Sequence, residues 1–320
     1  MTDLTRLNDR IDTALDLPGP RLTLRQRVRR SALRAAACLF PDRTAEMLAR
    51  RYLSSAHGYL DELPHGKHRF DVIDSANAPP VLRLAGKAPR QGQRRILVVP
   101  GHDGHYRQFT RLLRSLHTAG TAPDLLVLPG HARHEDGLCS MSDIVDAIRR
   151  TVAEHGPYDG MVAHCVSANA ALYALDHGMD CPRVALVSAP LDLRRLMESG
   201  GRQYGLDGRC LTKFLDNLDS FNAPYHMNHP WQPIAAERHE ALLAVHARDD
   251  YAAPVEDVRQ MVKLAEHATL AEFDHGDHNA ILNVKGAVAA ITAFMTDTKK
   301  PASSSEETGS AARYAQGETR

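Results

Sequence analysis

A cysteine followed in chain order by an acid and a histidine, each in a loop after an apolar run, can perform nucleophilic acyl chemistry. In this 320-residue chain the cysteine is Cys165, within Ala163-His164-Cys165-Val166-Ser167. The pentapeptide stands between a short apolar run and an alanine-rich stretch. It therefore reads as a tight strand-to-helix turn that lifts one side chain above a sheet, with backbone N–H groups behind it. A thiol at such a helix N-terminus has the dipole and unpaired N–H groups that stabilise a thiolate. Taken alone, the pentapeptide equally fits a buried structural cysteine. Ser167 is a rival nucleophile, although its place suits the first turn of the helix.

The acid and base come later. His246-Ala247-Arg248-Asp249-Asp250-Tyr251-Ala252-Ala253-Pro254 follows an apolar run, and Phe273-Asp274-His275-Gly276-Asp277-His278-Asn279 follows the last one. A loop acid and a loop histidine after successive strands can meet above a sheet. The order and spacing carry this reading, because any one of eighteen histidines is uninformative by itself. Upstream, Val99-Pro100-Gly101-His102-Asp103-Gly104 runs from a strand into a glycine-containing turn that can aim a backbone N–H at a developing oxyanion. The expected donors are the N–H groups of His102 and of Val166.

Two His-x-x-His pairs, His102 with His105 and His131 with His134, raise a metal site, since both lie in loops at one sheet end. No ordered carboxylate pattern accompanies them. Substrate contacts or surface histidines are the simpler reading, and no metal or cofactor is expected.

These residues need a scaffold that gathers loops at one edge. The middle of the chain alternates short apolar runs with helical patterns, which signals βαβ units and a mostly parallel sheet. Expected strands cover 69–73, 81–84, 96–99, 124–128, 160–163, 184–188, 241–246 and 269–273. Expected helices cover 106–119, 142–155, 167–177, 254–266 and 284–295. Residues 191–240 are too long for an ordinary connection, so a helical cap over the strand ends is assigned there. Residues 1–66 form an N-terminal helical extension, 67–190 with 241–296 the core, and 297–320 a polar tail expected to be disordered. In the extension, Pro41-Asp42 reads as a break and N-cap between two amphipathic helices. The arginines of the first helix are read as a solvated face packed against the main domain.

The motifs together resemble the α/β-hydrolases, particularly the bacterial type with an N-terminal helical extension. The similar segments are Pro100-Gly101-His102-Asp103-Gly104, Pro129-Gly130-His131-Ala132, the Cys165 pentapeptide, Asp249 to Pro254 and Gly276-Asp277-His278. They span roughly residues 67 to 296, in the family's order. The resemblance implies an α/β-hydrolase fold of about eight strands. It makes Cys165 the nucleophile, His278 the general base and Asp250 the residue that orients it. Asp250 is preferred to Asp249 by its distance from Pro254, with Asp192 in reserve. His278 is preferred to His275 because the family's histidine closes this loop. Ala163 and Ser167 replace the elbow's glycines, and cysteine replaces its serine.

A cysteine nucleophile implies a thioester acyl-enzyme, hence an esterase, thioesterase or acyltransferase acting on a small-molecule or carrier-bound acyl substrate. The other class is a degenerate homologue that binds a ligand without hydrolysis, or a lyase or cyclase using the same pocket. His164 beside the thiol, and Tyr204, Phe214 and Trp231 in the cap, are the expected substrate contacts. Charge is balanced, with 39 basic and 39 acidic residues, which argues against broad nucleic-acid binding. No apolar run approaches a membrane span, and Met1 to Pro20 lacks the apolar stretch of a signal peptide. Ala35-Ala36-Ala37-Cys38 is a poor lipoprotein site, being far from Met1 and followed by Leu39-Phe40-Pro41. Five scattered cysteines without an export signal point to reduced thiols in the cytoplasm. Oligomeric state is not legible.

Overall fold

Alternate residues of the central strands face opposite helical layers, and this parity organises the molecule. The computed structural model describes residues 24–66, 69–134 and 137–298, with side chains from residue 31 onward. The strands are β1 (Phe70–Ile73), β2 (Val81–Leu84), β3 (Arg95–Val99), β4 (Ala122–Leu126), β5 (Gly160–His164), β6 (Arg183–Val187), β7 (Ala241–Ala247) and β8 (Ala268–Phe273). They form one sheet of eight among the described residues, in the order β1-β2-β4-β3-β5-β6-β7-β8. The β1–β2 and β2–β4 pairs are antiparallel and the rest parallel. Continuous burial along β3 and β5 to β7 is what a sheet covered on both faces requires.

The helices are α1 (Leu24–Leu39), α2 (Pro41–Tyr52), α3 (Tyr59–Glu62), α4 (Thr110–Thr118), α5 (Met141–His155), α6 (Val166–Asp176), α7 (Leu193–Gln203), α8 (Gly208–Asn222), α9 (Trp231–Ala236), α10 (Val255–Leu264) and α11 (Lys285–Thr296). Ile96 and Val98 of β3 join Leu112, Leu116 and Ile291 in the core under α4 and α11. Leu97 and Val99 join Ile144, Ile148 and Leu172 in the core under α5 and α6. Helix α6 is buried from Val166 to Leu175, and its alanines let it approach the sheet closely. Buried Asp124 on β4 ties the sheet laterally. It accepts from Arg83 Nε at 2.7 Å, Arg95 Nη2 at 2.9 Å and Tyr158 Oη at 3.1 Å.

The expected strands are all present, with β4 beginning earlier than anticipated because Pro123 is accommodated near its start. The stretch expected as one helix from residue 106 is a 3-10 turn (Tyr106–Phe109) followed by α4. Asp42 does not cap α2: Phe40 holds the N-cap position and Pro41 opens the helix, where its missing N–H costs nothing.

The larger difference concerns what the extension packs on. Its apolar stripe Ala45, Leu48, Ala49 and Leu53 buries against Leu211, Phe214, Leu215 and Leu218 of the cap. Extension and cap thus make one helical lobe with its own core, above the carboxyl ends of the parallel strands. Residues 1–23 and all but the first two of the expected tail lie outside the described residues. No described helix is long and apolar enough to cross a membrane.

Candidate active site

β5 ends at His164 and α6 begins at Val166, so the chain reverses on one residue. Cys165 takes φ 57° and ψ −136° to do so. A non-glycine residue in this region costs about 1–3 kcal/mol and persists only when its surroundings enforce it. Here the Cys165 N–H donates to Val187 O at 2.9 Å and its carbonyl accepts from Ala168 N–H at 2.8 Å. Ala163 fits, fully buried, where the resemblance has glycine. Ser167 is also fully buried, and its hydroxyl donates to Pro100 O at 2.6 Å. That bond straps the elbow to the end of β3 and removes Ser167 as a nucleophile. Cys139, Cys181 and Cys210 are buried and Cys38 lies exposed on α1, whereas Cys165 is partly open to a cavity.

The histidine loop meets the elbow from above. His278 Nδ1–H donates to both oxygens of Asp250 at 3.0 Å, which leaves Nε2 uncommitted, and His278 lines the same cavity as Cys165. Burial alone would lower the His278 pKa. Electrostatic coupling to Cys165 and the hydrogen bond and charge of Asp250 outweigh it, and the pKa stands well above its ordinary value. Asp250 is held by two N–H donors of its own loop, from Ala252 and Ala253, each at 2.9 Å. Burial acts to raise its pKa, but the hydrogen bond and charge of His278, with His246 behind, bring it below the usual carboxylate value. His246 braces the loop by donating from Nε2 to Ala253 O at 2.6 Å. Asp249 and His275 are exposed, and Asp192 caps α7 by accepting from Arg195 N–H.

The turn after β3 faces the elbow across a very close gap. A β-carbon on Gly101 would lie 2.7 Å from Cys165 Cβ, so only glycine lets the backbone come this near. The Asp103 N–H donates to His131 Nε2 at 2.9 Å and the Gly104 N–H to Gly101 O at 3.0 Å. The N–H groups of His102 and Val166 have no acceptor among the described residues, and both residues line the cavity with Cys165. Asp103 adopts φ 56° and is gripped from two sides. His131 holds its N–H, while its carboxylate accepts from Ala56 N–H at 2.7 Å and Ser55 Oγ–H at 3.1 Å. Burial lowers the His131 pKa to about 4, which keeps the ring neutral and Nε2 available as an acceptor.

Other expected contacts are redistributed. His164 lines the cavity floor, but its Nε2–H donates to His278 O at 2.9 Å, so it braces the catalytic loop. Burial lowers its pKa to about 3. Tyr204 lines the cavity. Phe214 does not: it is fully buried between extension and cap, stacked edge-on against Tyr52 and Tyr204. Trp231 does not either, because α9 turns it into the core with Ile234 and Tyr225. Sequence reasoning missed Tyr251, which packs edge-on against His278 with centroids 5.7 Å apart, and Tyr52, which enters the cavity from the extension. Tyr251 sat in the acid loop and could have been flagged. Tyr52 had no local signal, since its neighbours come from the distant cap.

The four imidazoles of the His-x-x-His pairs do not converge. His131 serves the turn and His134 is exposed. His57, Glu62 and His105 do bring ligand-type atoms within 4.8 Å of one another. However, His105 Nδ1 accepts from Arg107 N–H at 3.0 Å, so Nε2 carries the proton given to Glu62 at 2.6 Å. An imidazole in that tautomer offers no lone pair at Nε2, and the cluster is a hydrogen-bonded brace.

The cavity over Cys165 has a volume of about 550 Å³, within the range of sites for small organic ligands. Solved structures share this architecture. A bacterial membrane phospholipase A is similar with TM-score 0.52 and 14% identity, over 83% of this chain and 94% of that one. A serine hydrolase from the polyaromatic-hydrocarbon-degrading bacterium Cycloclasticus zankles gives 0.52 and 13%, over 71% and 97%. A Pyrococcus furiosus esterase gives 0.52 and 12%, over 76% and 95%. No family model and no curated protein matches the chain.

Proposed function

Given a chain with the α/β-hydrolase fold, we propose that it is an acyl hydrolase or acyltransferase working through a Cys-His-Asp triad and a thioester acyl-enzyme. The observation that supports this best is the Asp250–His278 hydrogen bond at the cavity that Cys165 shares with His278 and with the two uncommitted N–H groups of His102 and Val166.

In this reading the Cys165 sulfur attacks the carbonyl carbon of an ester or thioester. The oxyanion is received by the N–H groups of His102 and Val166, whose preorganisation is worth about 2.7–4 kcal/mol per donor in comparable sites. Protonated His278 gives its proton to the departing alkoxide or thiolate, and the carbon–leaving-group bond breaks. His278 then takes a proton from water, or from another acceptor, as it attacks the Cys165 thioester. The bond between the acyl carbon and the Cys165 sulfur then breaks, the acid or transfer product leaves, and the proton taken by His278 remains with the regenerated Cys–His pair. Asp250 keeps Nδ1 protonated and the ring aligned throughout. A thiol nucleophile fits a reducing compartment such as the cytoplasm, and the thioester intermediate favours ester or thioester substrates over amides.

The direct test is turnover of p-nitrophenyl esters and acyl thioesters by wild type and Cys165→Ala. Loss of about 10³-fold or more in kcat/KM supports the reading. Unchanged turnover of a substrate the wild type accepts would end it.

A further inference from the structure

The cavity has two walls of unlike chemistry. Toward α5 and the cap it is apolar, with Met141, Ile144, Leu196 and Met197. Toward the extension and the turn after β3 it carries two arginines, Arg51 and Arg107. Neither has a carboxylate partner among the described residues. Arg107 lies over the Tyr106 ring at 5.5 Å, and its Nε–H reaches only the Tyr106 hydroxyl, at 3.3 Å. The acids on this side are already committed, Asp103 to Ser55 and Ala56, and Glu62 to His105. In the same wall His102 Nε2 is buried with no hydrogen-bond partner. A short neutral ester would answer the apolar wall and leave all these cationic and polar groups unmet.

Resting on the acyl-transfer reading above, we propose that the substrate is an amphiphilic acyl ester or thioester whose leaving group carries a phosphate. The acyl chain lies along Met141, Ile144 and Met197, and Arg51 and Arg107 receive the phosphate at the mouth. Guanidinium groups suit this task, since they bind phosphate through paired, charge-assisted hydrogen bonds. Arg51 places the extension in the substrate site rather than beside it. Two sources share this chemistry: an acyl-coenzyme A, and a lysophospholipid with an anionic head.

The test is binding to the full-length Cys165→Ala protein, which cannot consume its ligand, by calorimetry. The ligands are decanoyl-coenzyme A, decanoyl lysophosphatidate below its micellar concentration, and neutral 1-decanoylglycerol. At least one phosphate-bearing ligand is expected to bind about tenfold or more tightly than the neutral one, each charged contact being strong enough for that margin. The arm that shows the preference identifies the source. Arg51→Ala or Arg107→Ala, added singly, should collapse the preference toward unity, and the Lys variants should retain part of it. Absence of the preference, or its survival in both Ala variants, overturns the proposal. Because binding needs no turnover, a wild type inactive at Cys165 but showing an arginine-dependent preference would refute the acyl-transfer reading and leave the phosphate subsite standing.

Discussion

Gly101 and Cys165 approach so closely that a β-carbon on the glycine would sit 2.7 Å from Cys165 Cβ and 3.0 Å from His164 Nδ1. The contact sets the spacing between the turn and Cys165, since the Gly101 backbone meets the Cys165 β-carbon, which the backbone fixes, and the buried His164 ring. Gly101→Ala must therefore push the turn away. We expect about a 10²-fold loss of kcat, as displacements near 1 Å produce, with a destabilisation of about 1–3 kcal/mol from overpacking. Steady-state kinetics and thermal melts check both. Wild-type kcat in this variant would show that the turn is not part of the machinery.

His278 owes its raised pKa first to electrostatic coupling with Cys165, acting against burial. Cys165→Ala removes that coupling and leaves burial opposed by Asp250 alone, so the His278 pKa must fall. An NMR titration of the imidazole resonances measures it. The linkage has a definite sign. A histidine whose pKa is higher folded than unfolded contributes stability that is fully present below its unfolded value, near 6.5, and is lost as pH rises through the folded value. Wild type should thus lose stability on the alkaline side of neutrality more steeply than Cys165→Ala. An identical His278 pKa in the two proteins contradicts this coupling.

Much of this arrangement was legible in the sequence, for an identifiable reason. The elbow, the acid loop and the histidine loop each follow an apolar run directly, so their order along the chain fixes their order above a parallel sheet. The resemblance chose Asp250 and His278 over Asp249 and His275, and the structure puts the chosen pair in contact while the other two stay exposed. The aromatic residues of the cap were read less well. Composition shows that Phe214, Trp231 and Tyr204 bury apolar surface, but not which side of a helix meets the cavity. That depended on the extension, whose α2 occupies Phe214's side of the cap.

That correction is itself testable. Tyr204→Ala, at the cavity wall, should change chain-length preference and KM with a modest effect on stability. Trp231→Ala, in the core, should cost about 3–5 kcal/mol and leave the preference among soluble variants unaltered. Chain-length profiles with p-nitrophenyl esters, beside urea melts, separate the two. A shifted profile in Trp231→Ala would return it to the substrate site.

Asp103 makes a finer prediction, because its φ of 56° is tolerated by asparagine and not by alanine. Asp103→Asn keeps an acceptor for Ser55 and Ala56 and should retain most activity. Asp103→Ala strains the turn and leaves the Ala56 N–H unanswered, so kcat should fall about tenfold or more as the His102 donor shifts. Rescue by asparagine is the readout, since simple loss of a surface charge would affect both variants alike.

The claim on which the rest depends is covalent chemistry at Cys165. Intact-mass spectrometry after incubation with acyl thioesters and p-nitrophenyl esters addresses it directly. The account predicts one acyl mass gain on Cys165, absent in Cys165→Ala and longer-lived in His278→Ala, where deacylation lacks its base. Turnover without any Cys165 adduct in His278→Ala, or an adduct that persists in Cys165→Ala, would contradict it.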